Sequence, residues 1–437
     1  MQHRKSAFAL LLTAVYFIAL YFLLYHTSQH QGNLIVLCFS LAFVPATWLS
    51  LYMDERPSWV TYIPVLAALL PVFSFPMLSD DVYRFLWDGH LVLDGIDPFH
   101  TVPSQLISQL PAGPYAKLYA RLNSPNYHSV YPPVSQVFFV LAAAAEKVAW
   151  NGVVIMKLAY AAIHLLALGM FYRSPLHQRY PIFYLTYGLN PLVIVEGMGN
   201  LHAEVMMVAW LIISWVMYQQ KRTVWSGLFF ALAIGTKLLP LMFLPIMVRW
   251  GKAGKTWMVT VFISLALLFV PFFLMVFSQG FFESLDLYFR KFEFNAGLYY
   301  LLRWLGFVIS GYNLIQYLGP LLGLTALACI LLVSWRAPKW IAKGATFTEL
   351  LLVIVTIYIF SVTTLHPWYL ILPLAVSLMS KFRFVWIWSY LIVWSYTFYN
   401  GGLFAEDYGV IWVEYGVVAA VLWWEWQEWK KRRVTFG

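Results

Sequence analysis

The chain is best interpreted from residues 79–100, SDDVYRFLWDGHLVLDGIDPFH, which follow a long apolar run. This stretch holds five of the nineteen acidic residues of the chain. If its first part is helical, Asp81, Arg84 and Asp88 stand at i, i+3 and i+7 and share one face. Beside Trp87, such a face offers a carboxylate base and an aromatic ring of the kind that packs against sugars. The other interpretation is a solvated loop held by salt bridges, and the spacing alone leaves both open.

Composition places the chain in a membrane. Hydrophobic residues make up 62% of it, charged residues 11%, and the mean hydropathy is +0.71. A soluble domain is roughly 25% charged, so we expect an all-α polytopic membrane protein. The formal charge of +9 then reflects Lys and Arg in cytoplasmic loops and does not indicate nucleic-acid binding. Cys38 and Cys329 both lie in apolar runs, so no disulfide framework or cysteine metal site is indicated.

Apolar runs of spanning length follow one another along the chain. The first follows MQHRK and is too long for a signal peptide, with no small-residue cleavage site, so we expect an uncleaved helix. We expect one integral membrane domain of about thirteen transmembrane helices over residues 1–437, with three spans in 1–78, an extracytoplasmic loop at 79–133 and the other spans in 134–437.

The distribution of basic residues orients these spans. It places Asp80, Asn295, His366 and Asn400 outside, and it places in the cytoplasm Lys221, Arg249, Arg336, Lys381 and Lys430. Strict alternation fails by one crossing, so either 134–150 does not cross fully or 181–198 dips and returns. Residues 224–248 have cytoplasmic flanks at both ends, which predicts two half-helices that meet near Lys237 and Pro240.

Polar side chains beside the spans are costly to bury and are therefore candidate site residues. Glu196, Asn200 and Glu204 follow an i, i+4, i+8 spacing, and His202 lies among them. The simpler interpretation is that Asn200 and His202 cap helix ends.

Four cations form a second candidate group. Arg290, Lys291 and Arg303 lie outside by this topology, against the positive-inside rule, and such cations indicate an anionic ligand such as a lipid phosphate. Lys237 lies between two apolar runs. The alternative interpretation is that Lys237 binds no ligand and extends its ammonium group to the membrane surface.

Residues 81–89, DVYRFLWDG, together with residues 95–99, GIDPF, resemble the D-x-x-R-Y-x-W-D-G…G-x-N-P-Y signature of bacterial membrane mannosyltransferases of the GT-C superfamily. Phe85 and Asp97 replace the Tyr and Asn of that pattern. Shorter pieces resemble the same group in the same order: Tyr131-Pro132-Pro133, Asn190-Pro191 with Glu196, residues 199–204 (GNLHAE), Thr236-Lys237, Phe294-Asn295 and residues 366–369 (HPWY).

The resemblance implies a GT-C-like fold and an inverting transfer of a hexose, with mannose the expected sugar, from a polyprenyl-phosphate donor to a glycan or glycolipid acceptor. It also implies a site on the extracytoplasmic face of the bacterial inner membrane, among membrane lipids. Asp81 is the expected base and Asp80 the second choice, with Arg84 and Asp88 beside them. The donor phosphate is expected at Arg290, Lys291, Arg303 and Lys237. Acceptor or sugar contacts are expected at Trp87, Glu196, Asn200, His202, Glu204, Asn295 and His366.

No cofactor is indicated, and a divalent metal is left open. His90, His100 and His128 have no metal-binding spacing. Two other classes of protein also fit the composition. A secondary transporter has broken helices and intramembrane charges, although internal repeats are then usual and this chain has none. A flippase for polyprenyl-linked sugars requires the same phosphate-binding cations, and only conversion of donor and acceptor to product separates the two.

Overall fold

Apolar segments in a membrane satisfy their backbone hydrogen bonds internally, and helices are the result. The structure is a computed structural model that describes residues 2–53, 57–111, 113–250, 254–276, 283, 284, 286 and 290–434. Over these residues the regular elements are helices, and the only bridge between extended segments joins Phe294 and Thr364. The predicted all-α class is therefore confirmed.

The first part of the chain forms the N-terminal spans and the polar segment that follows them. The helices are α1 (Gln2–Tyr25), α2 (Gly32–Thr47), α3 (Ile63–Leu69), α4 (Asp81–Leu93), α5 (Pro103–Leu106), α6 (Pro114–Tyr119) and α7 (Pro133–Lys147). A π-helical turn, Trp48–Tyr52, extends α2, and the 3₁₀ turns Ser58–Tyr62 and Leu70–Phe73 flank α3. A further 3₁₀ turn, Ile107–Gln109, follows α5.

The middle part begins with α8 (Gly152–Tyr172), α9 (Pro175–Arg179) and α10 (Phe183–Gly188). A π-helix, Val193–Gly199, precedes α11 (Glu204–Gln219), and the two are bent by 105°. There follow α12 (Thr223–Thr236), the 3₁₀ turn Leu239–Phe243, α13 (Leu244–Trp250) and α14 (Gly254–Val276).

The last part contains α15 (Gly297–Ser310), α16 (Ile315–Ala342), α17 (Phe347–Ser361), α18 (Ile371–Leu378), α19 (Phe384–Leu391) and α20 (Tyr408–Val434). The 3₁₀ turn Pro367–Leu370 precedes α18, and a second one, Ile392–Gly402, follows α19.

Four helices among the described residues are long and apolar enough to cross a membrane, namely Ser6–Tyr25, Gly32–Tyr52, Gly152–Tyr172 and Ile315–Ala342. The bent pair formed by Val193–Gly199 and Glu204–Gln219 adds a fifth if it counts as one span. The protein is an integral membrane protein on this basis. The total of about thirteen spans, the extent of the outer loop and the division of the chain stay predictions.

Helix α4 forms as the sequence predicts, and a glycine follows its end at Leu93. Asp81 lies in its first turn, and Gly95, at φ +77°, accepts the left-handed conformation that follows the last turn. Gly89 faces α7 so closely that a Cβ at this position would lie 2.1 Å from the carbonyl oxygen of Phe139. The contacts of α4 with α7 run in the same order along both helices, from Asp88 with Gln136 to Asp94 with Lys147. The two helices therefore lie side by side in the same direction.

The break predicted near Lys237 is confirmed. Helix α12 ends at Thr236, Lys237 is extended (φ −153°, ψ 138°), and the chain resumes as a 3₁₀ turn that contains Pro240. A second break separates the π-helix from α11, with Leu201 at φ +61°. Both breaks turn the chain where polar side chains gather, which determines the position of the candidate site.

Candidate active site

One face of α4 is covered by the returning part of the loop, which confirms that Arg84 and Asp88 share a face. Nε of Arg84 lies 2.8 Å from Oδ1 of Asp88, and both side chains are buried. Arg84 donates to the carbonyls of Ser124 (3.2 Å) and Tyr127 (2.8 Å), and the hydroxyl of Ser129 donates to Asp88 (2.5 Å). Their charges are paired and enclosed, so both residues hold the returning loop, and their part in catalysis stays a prediction.

Asp81 lies on the same face but remains accessible. Its side chain is 24% exposed, and its Oδ1 accepts a hydrogen bond from Nδ2 of Asn123 (3.0 Å). Its other oxygen, Oδ2, lies 3.9 Å from Nδ1 of His202. Asp81 thus joins the loop to the bend before α11 and keeps a carboxylate available to a reactant.

Asp80 precedes Asp81 and is exposed. Partial burial and the adjacent Asp81 carboxylate raise its pKa above the ordinary value, while His30 and Arg121 oppose the shift. Asp80 therefore remains the second candidate for the base.

A buried carboxylate lies behind His202. Oε2 of Glu196 is 3.4 Å from Nε2 of His202, and its Oε1 accepts a hydrogen bond from Tyr396 (2.6 Å). The side-chain amide of Asn200 lies 3.4 Å from the same Glu196, and the Asn200 carbonyl oxygen accepts from the backbone N–H of Leu78. Glu196, Asn200 and His202 are each at most 3% exposed.

These contacts bear on the expected sugar-binding set. Protein groups already contact the polar atoms of Glu196 and Asn200, and a sugar contact by either residue stays a prediction. Trp87 is completely buried, with its ring against Tyr115 at 5.4 Å. A polar group in a low-dielectric interior needs a hydrogen-bond partner, and for Glu196 and Asn200 protein side chains and backbone groups supply it.

Four aromatic rings form a stack that begins at His202. Its ring lies 3.6 Å from Trp368, Trp368 lies 4.5 Å from His366, and His366 lies 4.6 Å from Phe294. The backbone N–H of Leu365 donates to the carbonyl of Phe294 (2.8 Å), which fixes the last pair. The stack forms one wall of the site, and His366 and Trp368 are its partly exposed members.

Lys237 reaches the same region from the break after α12. It forms an ion pair with Glu204, and Nζ lies 4.5 Å from the centre of the Tyr369 ring. The Lys237 side chain is 29% exposed, whereas Glu204 is 1% exposed. Glu204 is therefore enclosed and pairs with Lys237. The sugar contact expected of Glu204 stays a prediction.

Tyr369 links His366 to Lys237, since its ring centre lies 5.7 Å from the His366 ring and 4.5 Å from Nζ of Lys237. Loss of solvation lowers the pKa of His366 to about 3, the Asp81 carboxylate opposes this shift, and His202 and Lys237 add to it. Asp81, His202, Lys237 and His366 thus come together from four separate parts of the chain.

The remaining predicted residues lie in a neighbouring region. Arg303 is paired with Glu293 and donates to the hydroxyl of Tyr408 (2.6 Å). Asn295 is completely buried, and its amide donates to Glu414 (3.1 Å), so it has no direct access to a sugar.

Arg290 and Lys291 are exposed, and Arg290 is paired with Asp286 at 2.6 Å. Tyr127 of the loop contacts Phe292 at 5.5 Å between ring centres, which places this segment beside the loop that covers α4. Among the four predicted cations, Lys237 is the one that the structure places beside Tyr369, whose ring contacts His366.

Three residues of the site were not predicted from the sequence as site residues. Trp368 belongs to the HPWY motif and was recognisable there. No sequence motif marks Asn123 or Tyr396 as a site residue. Each contacts a residue far away in the sequence, Asp81 and Glu196 respectively. Over the described residues, no group of three or more His, Cys, Asp or Glu side chains is arranged to hold a metal ion.

A family model described as alpha-(1->6)-mannopyranosyltransferase, N-terminal domain, matches residues 12–252, more than half of the chain. The chain belongs to this family. The matched region contains α4, the returning loop, the π-helix, α11 and Lys237. The alpha-(1->6)-mannopyranosyltransferases therefore share with this chain the part that carries Asp81, Glu196 and His202, and the resemblance to bacterial membrane mannosyltransferases is confirmed.

The chain is also similar to alpha-(1->6)-mannopyranosyltransferase A of Mycobacterium tuberculosis (strain ATCC 25618 / H37Rv), with 26% identity over 351 residues. The match includes 71% of this chain and 63% of that protein, so this chain spans less than two thirds of the length of its relative. No solved structure matches the chain.

Proposed function

We propose that this protein transfers a mannosyl residue from a polyprenyl-phosphate donor to a hydroxyl of a glycan or glycolipid, with inversion at the anomeric carbon. Family membership supports the mannosyl group. The observation that carries the proposal is the Asp81 carboxylate, partly exposed at the start of α4 and facing His202, with Lys237 in the same electrostatic environment.

Inverting transfer requires a base on the acceptor side and cations on the donor side. Asp81 takes the proton of the acceptor hydroxyl while its oxygen attacks the anomeric carbon. The bond between that carbon and the phosphate oxygen breaks, and its electron pair stays on the phosphate. Lys237 stabilises the charge that develops there. A phosphate leaves readily, so the reaction needs no strong general acid.

The other cations have separate places in this scheme. Arg290 and Lys291 lie on the exposed segment beside the loop and are proposed to receive the phosphate at the entrance. Arg303 is proposed to contribute less than Lys237, because its guanidinium contacts Glu293 and the Tyr408 hydroxyl in the neighbouring region. The partly exposed His366 is proposed to contact the sugar, and His202 to border its site without direct contact.

The proposed site faces the extracytoplasmic side of the bacterial inner membrane. Helix α7 has 15 residues, fewer than the roughly 20 that a full crossing requires, and it runs beside α4 of the outer loop. This supports the alternative in which 134–150 does not cross fully. The remaining spans can then alternate between the two faces of the membrane and bring Lys221 to the cytoplasmic side.

The decisive experiment supplies purified protein with radiolabelled polyprenyl-phosphate sugars, one at a time, and an extract of endogenous glycolipid. We expect transfer from the mannosyl donor and a loss of about a hundredfold to ten-thousandfold in Asp81→Asn. Asp80→Asn is expected to cost much less. Asp97→Asn is the matched control, because it makes the same change in the same loop at a carboxylate that accepts a hydrogen bond from the backbone of Phe99.

Three outcomes contradict the proposal in different ways. Full activity in Asp81→Asn with none in Asp80→Asn moves the base back by one residue. Full activity in both variants excludes the mechanism. Movement of the labelled lipid across a bilayer without any product identifies a flippase instead.

A further inference from the structure

His202 stands between an accessible carboxylate and a buried one. Its Nδ1 lies 3.9 Å from Oδ2 of Asp81, and its Nε2 lies 3.4 Å from Oε2 of Glu196. The three residues come from α4, the π-helix and the bend after it. The ring is 3% exposed, so a proton on either nitrogen is exchanged through these neighbours more readily than with solvent.

The surroundings fix the positions of His202 and Glu196. Trp368 stacks on the His202 ring at 3.6 Å with 14° between the planes, which prevents the ring from turning. Tyr396 donates to Glu196 at 2.6 Å, and the backbone N–H of His202 donates to the Glu196 carbonyl at 3.2 Å. The 3.9 Å gap to Asp81 is too long for a hydrogen bond, and a small shift of the Asp81 side chain closes it once the carboxyl group carries a proton.

We propose that His202 and Glu196 are positioning residues that act through Asp81: His202 accepts the proton that Asp81 takes from the acceptor, and Glu196 faces the other nitrogen of the His202 ring. This inference rests on the proposed function and deepens it. The acceptor O–H bond breaks, and its proton passes to Oδ2 of Asp81 as the new glycosidic bond forms. The proton then moves from Oδ2 to Nδ1 of His202, which leaves Asp81 as a carboxylate and the imidazolium beside the Glu196 carboxylate.

The charges around His202 favour this direction. Asp81 and Glu196 face the ring from two sides, and both stabilise an imidazolium. His366, on the far side of Trp368, stays neutral because its pKa is about 3. Tyr396 faces Glu196 as a neutral donor, and Glu204 offsets the charge of Lys237.

The test measures kcat, the donor KM and the pH profile of His202→Gln and Glu196→Gln in the purified full chain. We expect kcat to fall about tenfold to a hundredfold with donor KM unchanged, and one ionisation to disappear from the acid limb of the profile in His202→Gln. The matched control is His100→Gln, at an exposed histidine of the loop, which is expected to keep the wild-type kcat and profile.

A double-variant comparison separates action through Asp81 from a merely structural role. If the proposal holds, Asp81→Asn/His202→Gln is no slower than Asp81→Asn alone, because the proton no longer reaches His202. Losses that multiply in the double variant overturn the proposal, as do wild-type kcat and pH profile in both single variants. Thermal unfolding identifies any variant that loses its fold. If His202→Gln loses its fold, Glu196→Gln supplies the kinetic readout instead. A stable wild-type protein that transfers no sugar contradicts the proposed function itself.

Discussion

Nε of Arg84 and Oδ1 of Asp88, one turn apart on α4, are joined at 2.8 Å in a place where both side chains are at most 3% exposed. The same pair anchors the returning loop through Tyr127 and Ser129. Since Asp81 is held by Asn123 of that loop, the position of the candidate base depends on a buried ion pair.

Removing one partner of this pair should loosen the loop. Asp88→Asn leaves the Arg84 guanidinium buried without a counter-charge, and we expect a loss of about 3–5 kcal/mol in the free energy of unfolding. Thermal unfolding in detergent and proteolysis of residues 123–129 measure the effect. The matched control is Asp94→Asn, which removes an exposed partner of Lys147 and should cost about 1 kcal/mol or less. Equal losses in the two variants would show that the buried pair does not hold the loop.

Lys237 should determine donor affinity more strongly than Arg303. A lost charge-assisted contact costs about 1.5–3 kcal/mol, so donor binding should weaken about tenfold to a hundredfold. Because Lys237→Met alone leaves Glu204 buried and unpaired, the test uses Lys237→Met/Glu204→Gln and reads donor affinity by titration.

Arg290→Ala and Lys291→Ala should weaken donor binding by smaller factors, and Arg303→Ala by the least. The control is Lys147→Met, which removes an exposed lysine at the end of α7, outside the site. Unchanged affinity in Lys237→Met/Glu204→Gln and in all three single variants places the phosphate site elsewhere.

His366 should make stability depend on pH. Its folded-state pKa is about 3, below the ordinary histidine value of about 6.5, so the unfolded chain binds the proton first as the pH falls. Stability is therefore lost below pH 6.5, by up to about 2 kcal/mol at pH 5, and the loss continues towards pH 3. In His366→Gln, thermal unfolding at pH 7.5 and pH 5 should differ by less than in the wild type. An unchanged difference excludes His366 as the source.

Topology is tested by single cysteines introduced after Cys38 and Cys329 are changed to serine. An impermeant thiol reagent should label whole cells at positions 80, 295, 366 and 400, although burial slows the reaction of position 295. Positions 221, 249, 336, 381 and 430 should react only after permeabilisation. Labelling of position 400 only after permeabilisation overturns the orientation proposed here.

Local periodicity determined much of the fold from the sequence. The apolar runs predicted helices, and the break at Lys237 follows from a lysine and a proline inside such a run. Asp81, Arg84 and Asp88 share a face because a helix repeats every 3.6 residues, whatever packs against it. The signature around these residues was sufficient to predict the family.

Tertiary structure alone decided which polar side chains remain available. The sequence treats Asp81 and Asp88 alike, yet Ser129 and Arg84 enclose Asp88 while Asp81 keeps an accessible oxygen. Glu196 likewise finds Tyr396 far along the chain. The reason is that a charge in a low-dielectric interior must be paired, and its partner is chosen by long-range packing that no local pattern records.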